Sequence, residues 1–592
     1  MECRTEAAGG GLAPFPPGPT VTGMRQAWVE SGGLRIAVYE QGVGEGATVL
    51  LVHGYPDNAG VWDGVAGRLA ERFRVVSYDL RGHGGSDEPG SRDGYRMEHL
   101  VHDLVAVVEA TSPGTPVHLV AHDWGSIHAW QAVGDSRYAG LFASYTTISG
   151  PSLEHVEQWV RGGLRRPRRW PAVARQVAHS WYMGAFQLPV VPELVWRMPW
   201  LRRRFHATYR DARNGVELYR ANMFGVRRAV PNRTDVPVLQ VALTEDPYCL
   251  PVLLESADPW CERLWRREMA AGHWAIRSAP DRVARLVTEF VDHVEGRPAT
   301  RELARARVGG PVRPLHDRLV LVTGAGSGIG RSSALAFAEA GADVLCVDID
   351  VESAGGTAQE IAARGSAGLA YRVDVADGEA VGKLADQVIA EHGVPDVVMA
   401  NAGIGVTGSF LDTSEEDWRR VLDVNLWGVV HTLRAFLPPL VERGEGGHVV
   451  ITASMAGYLP TPHLPAYSTT KAGVLMLAQC LEGELRPAGI GVSAICPGVV
   501  HTNITNTARF AGATPEEERA RQRRATAAYR RRGYSPDRVA AQVVRAVRDN
   551  KLVVPVTPEA HLAAAGTRVA PALTRALGRW IDAQGVKASR LD

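Results

Sequence analysis

Between about Glu295 and Asp317 the chain reads EGRPATRELARARVGGPVRPLHD, and this stretch limits what the rest can fold into. Pro298 and Pro314 near its ends, a Gly309-Gly310-Pro311 break and five arginines leave few side chains to bury. Proline stiffens a backbone and glycine loosens it, so the composition predicts a linker. Such a linker spans at most about 75 Å when fully extended. Residues on either side must then build separate cores, and 592 residues already exceed what one core holds. The expected order is a disordered arm over 1–23, a first domain over 24–294, a linker over 295–317 and a second domain over 318–592.

Bulk composition excludes several function classes. Apolar content of 45% and charged content of 22% are ordinary for a globular protein. A net charge of +1 supplies no global field to recruit nucleic acid. Six cysteines without a CxxC pair read as free thiols in a reducing cytoplasm. No apolar run reaches the roughly 18 residues of a membrane span. Residues 1–23 are rich in glycine and proline and lack the apolar core of a signal peptide. No spacing of histidine, cysteine or carboxylate suggests a metal site. Only four lysines occur (Lys383, Lys471, Lys551 and Lys587), so a lysine at a meaningful spacing stands out.

In the first domain, apolar runs at Thr48–Val52, Arg74–Tyr78, Val117–Ala121, Leu141–Ile148 and Val236–Leu243 alternate with helical patterns. That alternation predicts an α/β fold with a mostly parallel sheet, whose active residues gather at the carboxyl ends of strands. There stands Ala121-His122-Asp123-Trp124-Gly125, with small residues two before and two after the central position. This is the pattern of a tight strand-to-helix turn that lifts the central side chain. Asp123 occupies it, and a carboxylate is already ionised at neutral pH and attacks without a base. Asp246 and His273 follow in the order nucleophile, acid, histidine. The backbone N–H groups of Tyr55, in His53-Gly54-Tyr55-Pro56, and of Trp124 are candidates for an oxyanion hole.

These residues resemble the epoxide hydrolases of the α/β-hydrolase family over nearly all of 24–294, with HGYPD and HDWGS as the matching motifs. The resemblance implies a helical cap over about 151–235. It also implies that Tyr182 (in WYMGAFQLP) and Tyr219 (in LYRAN) donate to the epoxide oxygen. Haloalkane dehalogenases share the aspartate nucleophile, but they usually place asparagine where Tyr55 stands. The cap carries many arginines among Trp159, Trp170, Trp196 and Trp200. Two readings stay open: a solvated face over a packed aromatic layer, or attraction to an acidic lipid or membrane surface.

The second domain opens with the strand Leu319–Val322 and the turn TGAGSGIG, which places Gly324, Gly328, Ile329 and Gly330 at a helix start. Glycines let backbone approach a pyrophosphate, and a helix N-terminus offers N–H groups and a positive dipole. A second strand, Val344–Val347, ends at Asp348, which suits a ribose 2′-OH and repels a 2′-phosphate, so NAD is favoured over NADP. Tyr467 and Lys471 lie four apart, on one helical face. A nearby ammonium lowers a phenol's pKa, and Ser454 follows the strand Gly447–Thr452.

This half resembles the short-chain dehydrogenase/reductase family over about 318–560, through TGAGSGIG, NAG, the set Asn425, Ser454, Tyr467 and Lys471, and Pro497-Gly498. The resemblance implies Tyr467 as general acid/base, Ser454 as orienting hydroxyl, Lys471 on the ribose and Asn425 on a relay water. It implies Asp374 and Val375 beside adenine, Asn401 in the cofactor site, and Thr502 on the nicotinamide carboxamide. Homo-oligomers through the dehydrogenase helices are also implied. Arg519–Arg532 reads as an arginine-rich helix near the substrate lid. His561 to Trp580 reads as an amphipathic helix that packs on the dehydrogenase or lies on a membrane.

Throughout, the chain resembles the fusions of an epoxide-hydrolase-like domain to a Rossmann-fold short-chain dehydrogenase found among actinobacterial proteins. The expected function is bifunctional: epoxide hydrolysis plus NAD-dependent interconversion of a secondary alcohol and ketone. The aromatic-rich cap suggests a small-molecule substrate that is apolar, long and lipid-like, such as an oxidised fatty acyl chain. Two alternatives stand beside it. The first half is a substrate-binding module without chemistry, or it is a dehalogenase.

Overall fold

Runs of Val, Ile and Leu become the central strands of two separate sheets in the computed structural model, which describes residues 24–42, 46–223, 233–310 and 315–569. The expected arm over 1–23, residues 311–314 of the expected linker and residues 570–580 of the expected tail helix lie outside the described residues. Two compact units divide at Val308/Gly309.

The first unit holds eight strands: β1 (Arg25–Ser31), β2 (Leu34–Gly42), β3 (Thr48–Val52), β4 (Arg74–Tyr78), β5 (Val117–His122), β6 (Phe142–Ile148), β7 (Val238–Leu243) and β8 (Leu264–Met269). Their order in the sheet is β1-β2-β4-β3-β5-β6-β7-β8. The β1–β2 and β2–β4 pairs are antiparallel, and the pairs from β4 to β8 are parallel. β3 and β5 are buried along their whole length, as strands covered on both faces must be. Three strands escaped the reading by apolar runs. β1 and β2 form an outer hairpin around Gly32-Gly33 (φ +56° and +79°), and β1 mixes exposed and buried side chains. β8 carries Arg266, Arg267 and Glu268; Arg267 is nonetheless buried and paired with Glu289 at 2.9 Å.

The helix Pro280–Val294 shows why these elements dock. Proline sits in its first turn, and Val283, Leu286, Val287, Phe290 and Val291 fall on one stripe, all buried in the core under the sheet. Each such side chain contributes about 1.5–3 kcal/mol.

The expected linker over 295–317 is corrected here. Thr300 caps a short helix, Arg301–Arg305, that drives Leu303 fully into that core. Arg266 N–H then donates to Ala306 O at 2.8 Å, and Val308 N–H donates to Leu264 O at 2.8 Å. Arg307 lies over the Trp265 ring, 5.5 Å from its centroid. β8 is an edge strand, and this segment covers part of that edge. Arginines and glycines masked two apolar side chains, Leu303 and Ala306, at helical spacing. On the other side, Leu315 is buried in the second unit and its N–H donates to Ala340 O at 3.1 Å.

Between β6 and β7 run the cap helices Leu153–Leu164, Trp170–His179, Trp181–Ala185, Val191–Trp196, Pro199–Phe205 and Tyr209–Asn222. Half-buried Arg220 joins two of them, reaching Glu193 at 2.5 Å and Glu217 at 2.7 Å.

The second unit holds β9 (Leu319–Thr323), β10 (Asp343–Asp348), β11 (Gly368–Arg372), β12 (Val397–Ala400), β13 (Val406–Thr407), β14 (Gly447–Thr452), β15 (Ile490–Cys496), β16 (Arg509–Phe510) and β17 (Val553–Pro555). Seven of them form one sheet in the order β11-β10-β9-β12-β14-β15-β17, and every pairing is parallel. The order reverses at β9, which makes the crevice above β9 and β12 the expected ligand position in an open α/β sheet. The arginine-rich segment is the helix Pro515–Arg532, opened by a reciprocal cap between Thr514 and Glu517.

Candidate active sites

Asp123 follows β5 directly and precedes the helix Trp124–Gly134, with φ 49° and ψ −120°. A non-glycine residue holds that conformation only when its surroundings impose it. A Cβ on Gly125 would stand 2.5 Å from the carbonyl oxygens of Val52 and His53, so the turn is closed on that side. Asp123 is buried, and its Oδ1 accepts from Tyr55 N–H at 2.8 Å. Trp124 N–H donates to it as well. The two backbone donors singled out in the sequence therefore converge on this carboxylate. Burial raises its pKa above the ordinary aspartate value, while His273 and those two donors oppose the rise.

Asp246 lies just past β7 and His273 just past β8. His273 Nδ1–H donates to Asp246 Oδ2 at 2.9 Å, and its Nε2 stands 3.9 Å from Asp123 Oδ2. Asp246 Oδ1 accepts from the N–H groups of Tyr248 and Cys249 at 2.7 and 3.1 Å. Burial alone would lower the imidazole's pKa, but the hydrogen bond and charge of Asp246, with the charge of Asp123, leave it raised. Burial would raise Asp246, and His273 holds it below the ordinary value instead. A buried carboxylate, a histidine tied to a second carboxylate and two aimed N–H donors are groups able to form and then hydrolyse an ester.

The cap brings both expected tyrosines to this point. The Tyr182 and Tyr219 ring centroids lie 6.0 Å apart, and Tyr219 stacks edge-on against Trp124 at 5.0 Å and Tyr55 at 5.4 Å. Burial first, then the charge of Asp123, raises both phenols above their ordinary value, so they are proton donors at neutral pH. Of the four tryptophans read as one packed layer, Trp159 and Trp196 are buried, but Trp170 and Trp200 are exposed.

Three neighbours outside the expected catalytic set support it. Asp57, in the quoted HGYPD motif but given no role, accepts from Trp274 Nε1 at 2.9 Å and Arg277 Nη2 at 2.6 Å, bracing the turn after His273. Burial pushes its carboxyl up to about 6. His122 Nε2–H donates to the carbonyl of His273 at 2.9 Å, and burial drops it to about 3, so it is a neutral strut. The Tyr248 ring packs 5.0 Å from His273 and 5.3 Å from Tyr182; only its place two residues after Asp246 hinted at this.

In the second unit, the turn after β9 leads into the helix Gly328–Glu339, whose N-cap Ser327 makes no side-chain bond to its first N–H groups. A Cβ on Gly330 would fall 2.0 Å from Gly324 O, and one on Gly328 would fall 3.2 Å from Thr502 Cβ. Backbone thus lines a cradle that any side chain would fill, with Thr502 across from it, which fits a dinucleotide pyrophosphate. Ile329 is half-buried against the core behind the turn. Asp348 ends β10 and accepts from Gly326 N–H at 2.8 Å and Asp350 N–H at 3.1 Å.

Other expected cofactor residues play supporting parts. Asn401 Nδ2 donates to Thr323 O at 3.0 Å and Oδ1 accepts from Thr452 Oγ1 at 3.0 Å, so its side chain braces β9, β12 and β14. Val375 is buried against Gly428, while Asp374 is exposed and accepts from Ala376 N–H at 2.9 Å. Pro497 O accepts from Met455 N–H at 2.8 Å, and a Cβ on Gly498 would strike Thr557 at 2.2 Å.

The four expected catalytic side chains come together. Asn425 sits in a π-helical turn, Asp423–Trp427, fully buried, and its Oδ1 accepts from Ile404 N–H at 2.8 Å. A Cβ on Gly403 would meet Asn425 Oδ1 at 3.2 Å and Lys471 Nζ at 3.5 Å, which marks their common corner. The Ser454 hydroxyl favours the ionised form of the Tyr467 phenol. The expected lysine-driven lowering of that phenol is corrected: burial pushes Tyr467 up to about 12, although Ser454 pulls the other way. Lys471 Nζ lies 5.8 Å from the ring centroid, donates to Thr452 O at 2.8 Å, and is itself lowered by burial to about 8. Helix Pro515–Arg532 adds Tyr529, whose charge also raises Tyr467, and Thr526 Oγ1 fastens that helix to Asn506 Oδ1 at 2.6 Å. Among the described residues, no group of three or more His, Cys, Asp or Glu is arranged to hold a metal ion.

Two family profiles match the chain: alpha/beta hydrolase fold over residues 47–280 and short chain dehydrogenase over residues 318–511. The probable oxidoreductase EphD of Mycobacterium tuberculosis (strain H37Rv) is 44% identical over 574 residues, 92% of this chain and 97% of its own. The 1-deoxy-11-beta-hydroxypentalenate dehydrogenase of Streptomyces exfoliatus is 40% identical over 190 residues, 32% of this chain and 69% of its own. A crystal structure of a short-chain dehydrogenase/reductase from Burkholderia phymatum in complex with NAD is 30% identical, spans 45% of this chain and 97% of that one, and gives a TM-score of 0.42. A short-chain dehydrogenase fold works with a nicotinamide cofactor, NAD or NADP. With one relative matching across both units, the chain belongs to the family of two-domain proteins, an α/β-hydrolase fold followed by a short-chain dehydrogenase, that includes the mycobacterial EphD proteins.

Proposed function

We propose that the chain is a bifunctional enzyme: an epoxide hydrolase in the first unit and an NAD-dependent alcohol/ketone oxidoreductase in the second. The observation that carries the first half is the Asp123 carboxylate, already held by two backbone donors, with His273 on one side and two neutral tyrosines over it. An Asp123 oxygen attacks an epoxide carbon, the C–O bond opens, and Tyr182 or Tyr219 gives its proton to the leaving oxygen. His273 then takes a proton from water, whose oxygen attacks the ester carbonyl carbon. Tyr55 and Trp124 N–H groups hold the resulting oxyanion. On its collapse the His273 imidazolium gives its proton to the departing alkoxide, which completes the vicinal diol. The remaining proton of the water returns to the tyrosinate as the Asp123 carboxylate re-forms. His273→Gln should trap the ester. Intact mass after incubation with styrene oxide should rise by one substrate mass on the variant and not on its Asp123→Ala derivative. Absence of the adduct supports a binding module without chemistry, and halide release from a chloroalkane without epoxide turnover supports a dehalogenase.

In the second unit Tyr467 exchanges a proton with the substrate oxygen, Ser454 orients that oxygen, Asn425 shapes the corner, and Lys471 is positioned for the ribose. The cofactor, when bound, accepts or supplies the hydride. Asp348, fixed at the end of β10 by two N–H groups, favours NAD. A diol is itself a secondary alcohol, so the first product can serve the second site. NAD reduction should then follow diol formation in one reaction mixture, and no NADH from any diol made by the first unit would end that coupling. Exposed Trp427 and Met476, the latter on the helix Pro465–Leu485, support assembly of several copies through the dehydrogenase helices. The five described cysteines are unpaired, which supports a reducing, cytoplasmic compartment.

A further inference from the structure

The cap turns a dense band of apolar side chains outward. Among the described residues, eleven of the twenty large exposed hydrophobics fall between Leu164 and Trp200. Trp181 is 73% exposed, Trp200 61% and Trp170 55%, with Leu188, Val190, Leu194 and Met198 between them. Elsewhere among the described residues of this unit only Trp28 joins them. Isolated exposed apolar residues need no explanation, but a concentration like this marks a contact surface.

The charge on the same stretch names the contact. From Arg165 to Arg204 the chain has nine arginines, no lysine and one acid, Glu193, whereas the whole chain is nearly neutral at +1. Glu193 is turned inward to Arg220. Arg165, Arg166, Arg168, Arg175, Arg197, Arg203 and Arg204 are exposed, and none of these seven forms an ion pair within 4.0 Å. An open hollow of about 610 Å³ in this stretch is lined by Pro199, Arg202, Arg203, His206 and Ala207. Tryptophan prefers the headgroup level of a bilayer, and the guanidinium fork matches phosphate. An acidic protein partner would satisfy the arginines but leave three tryptophans and several aliphatics unmatched. No described helix is long and apolar enough to cross a membrane, so the contact is peripheral.

We propose that the outer face of the cap, from Leu164 to Arg204, docks on an anionic phospholipid bilayer. The same short helices carry the hydrolase site on their inner face. Trp181 points out while its neighbour Tyr182 faces Tyr219, and exposed Val195 adjoins Trp196, buried against Tyr55. Resting on the proposed hydrolase reading, the arrangement places that site one helix layer from the membrane, which suits epoxides of lipid chains.

Co-sedimentation of the full chain with vesicles tests the docking without reference to either activity. The chain should pellet with phosphatidylglycerol–phosphatidylcholine vesicles, remain in solution with pure phosphatidylcholine, and dissociate as salt rises. Each arginine near such a surface is worth about fivefold, so Arg203→Glu/Arg204→Glu should weaken binding by roughly 25-fold or more. Trp181→Ala/Trp200→Ala should weaken it by at least about tenfold, with thermal midpoint unchanged, and Trp28→Ala should bind as the parent. Failure to pellet, or equal pelleting of parent and cap variants, overturns the proposal. A cap-dependent dimer by light scattering, without lipid binding, would give the face to a second copy. Loss of docking with retained styrene oxide turnover separates this proposal from the hydrolase reading.

Discussion

The two sites arrange their reactive groups in opposite ways. In the first unit the members touch: His273 is bonded to Asp246 at 2.9 Å, and Asp123 is held by Tyr55 at 2.8 Å and by Trp124. In the second unit Lys471 does not bond the phenol it accompanies; it stands 5.8 Å from the Tyr467 ring and bonds β14. Direct contact lets protein charges tune one another, so Asp246 falls and His273 rises despite burial. Separation leaves burial in charge, with Tyr467 near 12 and Lys471 near 8. The first set is a cluster of protein groups in mutual contact, whereas the second stands around a backbone cradle that fits a dinucleotide.

The comparison breaks most sharply if either site depends on the other. Asp123→Ala should lower diol formation by at least about ten-thousandfold and leave NAD-linked turnover unchanged, and Tyr467→Phe should do the reverse. Parallel assays of both variants decide it, and a shared loss would contradict two independent sites.

Next in size is the contact between His273 and Asp246. Asp246→Asn should cut turnover about 100- to 10,000-fold. The base must be neutral to accept a proton, and its pKa is raised, so the parent's turnover should climb with pH through a midpoint above the ordinary histidine value. Removing Asp246's charge should shift that limb to lower pH. A kcat–pH profile with an unmoved limb would show that the contact does not set the base.

The cap tyrosines should matter less one at a time. Tyr182→Phe and Tyr219→Phe should each lower kcat by about 10- to 100-fold, and the double variant by more than the product, because either phenol can donate alone. Simple additivity would mean that each does a different job.

The smallest effect concerns stability. Lys471's pKa falls on folding, so burial of the ammonium destabilises the fold fully below about pH 8, and the penalty disappears as pH rises toward the ordinary lysine value. Lys471→Met should remove up to about 3 kcal/mol of that penalty at neutral pH, less about 1 kcal/mol for the lost bond to Thr452. Calorimetry of the transition that NAD shifts should show a higher midpoint at pH 7 and little gain at pH 10. Equal gains at both would place the effect in packing instead.

Local chemistry explains what could be read without coordinates. The Asp123 elbow, the glycine turn at 324–330 and the Tyr467–Lys471 pair each lie within a few residues, where turn geometry and helical period act directly. The strands buried on both faces announced themselves as apolar runs. β8 did not, because Arg267 hides its charge against Glu289 of the helix Pro280–Val294. Asp57 was equally silent, since the indole it holds is 217 residues away.

Sequence alone determined two folds and the residue sets they carry: a carboxylate at a strand-to-helix turn ahead of a histidine, then a tyrosine and lysine after a glycine-rich turn. Tertiary structure decided everything that depends on what covers a group. Leu303 and Ala306 turned part of an expected tether into an edge cover for β8. Burial set the Tyr467 phenol high against the expected pull of Lys471, and helix packing sent Trp181 outward and Tyr182 inward. Residue type and spacing are fixed by neighbours along the chain, but desolvation is fixed by neighbours in space.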